Sequence, residues 1–355
     1  MRLVGLVLFV ILLASSGRAG TMTVDILDVG QGDAILIRTP AEKIILIDAG
    51  DSPGQVLSML RDRQVTHIDL AVGTHPHADH IGGMRSVVSE LPVKLYSDNG
   101  LPHSTNVYRG LMTAIEQRGI TYRGAVVGTM YRLDDGAVLE VLFPTGHTLK
   151  GTRSDLNSNS VVLRLVHRGH CFLFVGDSEE PTENALLTND ALGACDVLKV
   201  AHHGSPHSST LPFLQRIKPR IAIISVGVDN DYGHPGQEVL ERLTSIGAVV
   251  HRTDREGTVT ILSTDTGIEV RTEKKASTVA ESFPTAATRP QVVDQPPMAP
   301  LPAAACAFIS SSSSHVFHEA TCGSAHRIKP SNRRCFASKA AAISAGQSSA
   351  GCCKP

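Results

Sequence analysis

The sequence predicts a layered α/β protein with two packed sheets flanked by helices. Three observations carry this expectation. Strand-like apolar runs come in two batches, helical patterns fall between them, and turn residues punctuate both.

Residues 1–20, "MRLVGLVLFVILLASSGRAG", place Arg2 ahead of an apolar stretch from Leu3 to Ala14, interrupted by Gly5 and followed by small residues. This is a secretory signal pattern with a cut after Ala19, and it implies a secreted or periplasmic soluble protein. The stretch is shorter than the roughly 20 residues a spanning helix needs, so an N-terminal anchor is the weaker alternative. No other segment reads as a membrane span.

Residues 21–272 form the body. "MTVDILDV", "DAILIRT", "KIILIDAG" and "HIDLAVGTH" are successive short strands, and "GQVLSMLRDRQ" and "HIGGMRSVVSEL" carry helical periodicity. A second batch follows: "AVLEVLFP", "NSVVLRLVH", "CFLFVGD", "DVLKVAHH", "IAIISVG" and "TVTILST", with helical segments at "TENALLT" and "QEVLERLTSIG". Residues 273–303 are rich in Pro, Ala and Thr without periodicity, the composition of a linker. Residues 304–355 form a small module with five cysteines, entered through a serine run. In an exported chain such crowding points to disulfides or a small metal site.

The overall charge of −1 conceals an asymmetry. The body holds 22 Lys and Arg against 30 Asp and Glu, whereas residues 304–355 hold 6 basic residues and one acid, Glu319. An acidic body attracts nucleic acid poorly, although bound divalent ions offset part of that locally. The C-terminal module is the better electrostatic candidate for holding a polyanion.

The chemistry concentrates at residues 74–83, "THPHADHIGG". Two imidazoles at i and i+2, a carboxylate and a third imidazole leave the end of an apolar strand. These donors suit zinc and similar divalent ions, but a single loop cannot close two coordination spheres. Later strand ends offer partners: Asp177 after "FLFVG", His202 and His203 after "VLKVA", and His147 in "FPTGHT".

With "IDAG" before it and "VGD" and "AHHGS" after it, this motif resembles the metallo-β-lactamase fold superfamily. "DVGQGDA" (28–34), "NSNSVVLRL" (157–165), "KVAHHGSPHSS" (199–209), "DYGHP" (231–235) and "TDREGTV" (253–259) sharpen the resemblance to the hydrolase domain of ComEC-type competence proteins and their stand-alone relatives. It covers roughly residues 22–272.

The resemblance implies a four-layer αβ/βα sandwich with two divalent metal ions, zinc or manganese, between the sheets. His75 and His77 would hold the first ion, Asp79 and His80 the second, and Asp177 would bridge them. The His202/His203 pair would complete the second ion, with His202 favoured as the nearer to its strand end. Asp48 would orient a ligand. His147 would take the place where many members have a further histidine, or Asn159 would instead line the site. Bound ions activate a water, polarise the scissile group and stabilise developing negative charge. Asp79 would orient that nucleophile, while His234 and Asp33 are candidates for proton transfer or substrate contact. Ser205, Ser208 and Ser209 read both as a helix start and as a phosphate-facing segment.

The C-terminal module more weakly resembles an Ada-like zinc-binding module, with His318, Cys322, Cys352 and Cys353 as the candidate set for a structural zinc. Adjacent cysteines chelate one ion poorly, so a disulfide competes with zinc.

The leading expectation is an exported metal-dependent phosphodiesterase or nuclease acting on DNA or a nucleotide. The alternatives are a hydrolase of another ester or lactam, such as a choline-phosphate ester or β-lactam, and a non-catalytic nucleic-acid or cell-wall binding protein. Nothing in the sequence fixes the oligomeric state.

Overall fold

The computed structural model describes residues 20–274 apart from 134, 135, 146 and 190, together with 308–311, 316–319, 328, 333–336 and 348–349. The chain divides into two units, Met1–Thr288 and Arg289–Pro355. The signal pattern up to residue 19 and most of the linker lie outside the described residues.

The first sheet of the larger unit opens with β1 (Met22–Ile26), β2 (Ile35–Arg38), β3 (Ile44–Ile47) and β4 (Leu70–Gly73) and continues through β5 (Leu95–Asp98) and β6 (Thr121–Gly124). The second holds β7 (Met130–Arg132), β8 (Val138–Phe143), β9 (Val162–His167), β10 (His170–Phe174), β11 (Val197–Lys199), β12 (Ile221–Ile224) and β13 (Val249–Arg252). The chain then returns: β14 (Val259–Ser263) and β15 (Ile268–Thr272) join the first sheet, whose order is β15-β14-β1-β2-β3-β4-β5-β6. "TVTILST" thus leaves the second batch in which sequence order had placed it, because β14 pairs antiparallel with β1. The second sheet runs β13-β12-β11-β10-β9-β8-β7.

Alternation decides which side of each strand meets which layer. Ile35, Ile37, Ile45 and Ile47 face Leu163, Leu165, Phe172 and Phe174 in the core between the sheets. Leu36, Leu46 and Ala71 point the other way, toward α1 (Gln55–Asp62), α3 (Met84–Glu90) and α4 (Asn106–Gln117). Leu173, Leu198 and Ala222 likewise pack under α5 (Glu180–Leu187), α6 (Leu211–Ile217) and α7 (Gln237–Ser245). Both faces of the central strands are buried, which is why they read as near-continuous apolar runs. The architecture is the expected four-layer sandwich.

The pattern in "HIGGMRSVVSEL" breaks into two helices, α2 (Ala78–Ile81) and α3. At the junction a Cβ on Gly82 would come within 2.2 Å of the Asp51 carbonyl oxygen, and one on Gly83 within 2.2 Å of that of Ala49. The glycines let the metal-motif loop lie directly on the turn after β3.

In the smaller unit, β16 (Phe308–Ser311), β17 (Val316–Glu319), β18 (Arg333–Phe336) and β19 (Ser348–Ser349) form a sheet in the order β18-β16-β17-β19. His318 lies on β17, half-buried; Cys322, Cys352 and Cys353 lie outside the described residues.

Candidate metal centre

The candidate site forms at the carboxyl ends of strands from both sheets, where open α/β sheets characteristically bind ligands. β3 pairs parallel with β4, so Asp48 and the His75–His80 loop leave neighbouring strand ends. β10, β11 and β12 are also parallel, so Asp177, His202, His203 and Ser225 emerge together.

Among the described residues three tight groups of donor atoms result, one of them Asp33, Asp48 and His80 and the other two sharing a carboxylate. Of those two, Asp79, His80, Asp177 and His203 form one, and His75, His77 and Asp177 the other, with all atoms of a group within 4.8 Å of one another. Asp177 belongs to both, and its two oxygens divide between them. Oδ1 lies 3.1 Å from His80 Nε2 and 3.6 Å from His203 Nε2, while Oδ2 lies 3.7 Å from His75 Nε2. Asp79 Oδ2 is 3.2 Å from His203 Nε2 and 3.8 Å from His80 Nε2, and His75 Nε2 is 2.9 Å from His77 Nδ1. Donors around a tetrahedral ion with bonds of about 2.1 Å stand roughly 3.4 Å apart, so these separations fit ion coordination. His80 Nε2 and Asp177 Oδ1 are buried without a hydrogen-bond partner, an arrangement that a cation between them would resolve.

The electrostatics agree with the fit. Burial drives the Asp177 carboxyl up, but His80, His203 and His202 outweigh it and hold it well below the usual carboxylate range. Asp79 is likewise lowered against its burial by His80 and His203. Burial pushes His203 down, yet Asp177 and Asp33 carry it up to about 10. His80 is raised well above its ordinary value, against burial, by Asp177, Asp48 and Asp79. His75 and His77 are lowered, burial being the largest cause. The carboxylates thus draw positive charge onto His80 and His203, a charge that divalent ions would supply instead.

The candidate ligands are held in orientation from behind. Asp48 accepts hydrogen bonds from the Thr74 amide (2.7 Å) and hydroxyl (2.7 Å), and its Oδ2 lies 2.8 Å from His80 Nδ1. His203 Nδ1 faces the Ser225 carbonyl at 2.9 Å, leaving Nε2 toward the cluster. Asp33 lies 3.4 Å from the same Nδ1 and pairs with the buried Lys199 ammonium at 2.8 Å. Burial raises Asp33, but Lys199 and His203 more than offset it and hold the carboxyl down at about 2.

Several sequence readings change here. The preference for His202 over His203 at the second ion reverses, since His203 is the one inside that group. Asp33 is buried beside His203 and does not line the cavity at the site. His147 is exposed and belongs to none of these groups. Asn159 turns away to hold its own loop, donating to the Leu149 and Asp155 carbonyls, whereas Asn157 lines the cavity. Ser205, Ser208 and Ser209 are buried and absent from the cavity wall, and Thr210, not a serine, precedes α6.

The cavity over the cluster is about 330 Å³ and is lined by His77, Asp79, Asn157, Asp177, His202, His203 and His234, with Gln31, Ala78 and Tyr232. His234 lies on its wall. Burial, then the charges of His202 and His203, lower its imidazole to about 4. Tyr232, 69% exposed, stacks on it with centroids 5.7 Å apart. Lys199, Glu179 and Asn157 escaped sequence reasoning. The first had a signal: a lone cation inside an apolar strand three residues before a histidine pair. Cys171, on β10, and Cys195, two residues before β11, form a disulfide.

The metallo-beta-lactamase superfamily model matches residues 27–228. The chain belongs to that superfamily. Among relatives, it is 30% identical over 259 residues to ComE operon protein 3 of Bacillus subtilis and 31% identical over 238 residues to competence protein ComA of Neisseria gonorrhoeae. Each alignment covers 66% of this chain but only 32% and 31% of the relative, so this superfamily member spans about a third of their length. These relatives match the ComEC-type resemblance of the sequence motifs. A solved metallo hydrolase from Ignicoccus hospitalis superposes with a TM-score of 0.45 at 19% identity, covering 67% of this chain and 98% of that one. Among the described residues, no helix is long and apolar enough to cross a membrane.

Proposed function

We propose that this chain is an exported, two-metal phosphodiesterase whose substrate is DNA or a related nucleotide. The observation that carries the reading is Asp177, whose two carboxylate oxygens each serve one donor group beneath an open cavity. Divalent ions held there, zinc or manganese, would supply Lewis-acid polarisation and water activation. The chain's own residues do the rest. Asp79, 30% exposed at its side chain, reaches the cavity as an anion and accepts a hydrogen bond from an attacking water. His234, neutral above about pH 4, contributes one donor and one acceptor nitrogen at the wall for contact with a phosphoryl oxygen. Tyr232 presents an aromatic face at the same wall, a surface on which a base stacks.

The relatives' competence names support a nucleic-acid substrate, and the basic 304–355 segment supplies the charge that the acidic body lacks. Export is supported by the signal pattern and by the Cys171–Cys195 disulfide, a bond at home in an oxidising compartment.

The test is an activity panel with added Zn²⁺ or Mn²⁺ on bis-p-nitrophenyl phosphate, single- and double-stranded DNA, and nitrocefin. A His75→Ala/Asp79→Ala double variant is the control. Metal-dependent phosphodiester cleavage, lost in the variant, is expected. Equal DNA cleavage by the variant would refute the reading, and nitrocefin turnover without phosphodiester cleavage would favour lactam hydrolysis.

A further inference from the structure

The first ion's group supplies two imidazoles and one carboxylate oxygen, three protein donors that leave at least one coordination position open. His147, which the family resemblance offered for that place, is exposed and belongs to neither donor group. The residue that faces this gap is the other member of the histidine pair.

His202 and His203 are consecutive, and both adopt the left-handed backbone conformation, with φ of 49° and 54°. Such residues cost about 1–2 kcal/mol each and persist only where the surrounding structure requires them. Gly204 continues the left-handed turn at φ 84°. The turn separates the two rings, whose centroids stand 6.2 Å apart at 73°. His203 Nε2 faces Asp79 and the Oδ1 side of Asp177, whereas His202 Nε2 lies 3.7 Å from Asp177 Oδ2. That is the oxygen His75 Nε2 also approaches at 3.7 Å. His202 reaches the first group at its Asp177 end only, and its side chain, 15% exposed, lines the cavity.

The far side of the ring is built for a ligand's tautomer. His202 Nδ1 lies 3.5 Å from Glu179 Oε1, and that carboxylate, 2% exposed, accepts a hydrogen bond from Arg153 at 2.8 Å. A carboxylate on one ring nitrogen keeps the proton there and leaves the other nitrogen's lone pair toward the ion. The Asn157 amide, 3.4 Å from Nε2, flanks the ring.

We infer that the tandem histidines divide the two ions between them, with His202 serving as the third imidazole ligand of the first ion and Glu179 as its positioning carboxylate. The inference rests on the two-ion reading of the site. It gives adjacent residues of one turn to different ions and dispenses with a separate histidine from the loop after β8.

The test is metal content by mass spectrometry after dialysis, with affinities from competition against a chromophoric chelator, on the full chain. His202→Asn keeps a residue that tolerates left-handed backbone while withdrawing the imidazole. It is expected to retain one ion per chain where the parent retains two. Glu179→Gln, which leaves the turn untouched, is expected to weaken one ion about 10–100-fold and to spare the other. Two ions in H202N at parental affinity would overturn the inference. So would loss of the ion in Asn157→Ala but not in H202N, since the amide oxygen would then be the ligand. A parent that binds fewer than two ions would instead refute the two-ion reading itself.

Discussion

Replacing Lys199 by Met tests whether the buried Lys199–Asp33 pair holds the second metal group in place. Both side chains are 1% exposed and their charges meet at 2.8 Å. At an effective dielectric of about 20 the attraction is about 6 kcal/mol, most of which offsets the desolvation of two ions. Met preserves the aliphatic length, so packing changes little, but Asp33 loses its closest countercharge and is left as a buried anion facing His203 Nδ1 at 3.4 Å. Removing one partner of such a pair costs about 3–5 kcal/mol. For a unit of this size that lowers the melting temperature by about 10 °C. Urea unfolding of parent, Lys199→Met, Asp33→Asn and the double variant, each with excess chelator, measures the pair apart from any metal contribution. The double variant should be more stable than the sum of the single losses by at least about 1 kcal/mol, the coupling expected of residues in contact. A Lys199→Met protein within about 1 kcal/mol of the parent, or a cycle with no coupling, would refute the argument.

Asp48→Asn removes the charge that accepts from Thr74 and orients His80, and should weaken metal binding about 10–100-fold with little change in circular dichroism. The Cys171–Cys195 bond closes a separation of 24 residues, and Cys171→Ser/Cys195→Ser should cost about 3.5 kcal/mol in denaturant unfolding by the loop-entropy relation. Glu183 is buried beneath the turn before α6, accepting from the Thr210 amide at 2.8 Å and from that of Ser209, and burial raises its pKa above the ordinary 4.5. Its folded form therefore binds a proton more readily than its unfolded form, so its contribution to stability falls as pH rises from about 4.5 through the folded pKa. Glu183→Gln should flatten the stability–pH curve in that window, and an unchanged curve would count against the assignment.

Part of the site was legible because it is local. His75, His77, Asp79 and His80 lie within six consecutive residues, and their donor chemistry at that spacing needs no tertiary information. The layers were legible for a similar reason: runs such as "IILI" and "IAII" are strands buried on both faces. The sheet to which the last strands belong was not, because β14 finds β1 across most of the body, and chain order carries no signal of that pairing.

The choice between His202 and His203 turned on which ring the left-handed turn brings to Asp79 and Asp177, and side-chain identity says nothing of that in a pair of equal residues. Asn157 and Asn159 are two positions apart, yet one lines the cavity and the other ties down its loop. Asp33 and Lys199 come from opposite sheets, so only folding reveals that they are a pair and that they stand behind a ligand. The sequence by itself determined the donor chemistry and the layered framework, which follow from residue type and periodicity. Only the tertiary structure decided which histidine meets which carboxylate oxygen, because that depends on how separate strand ends converge.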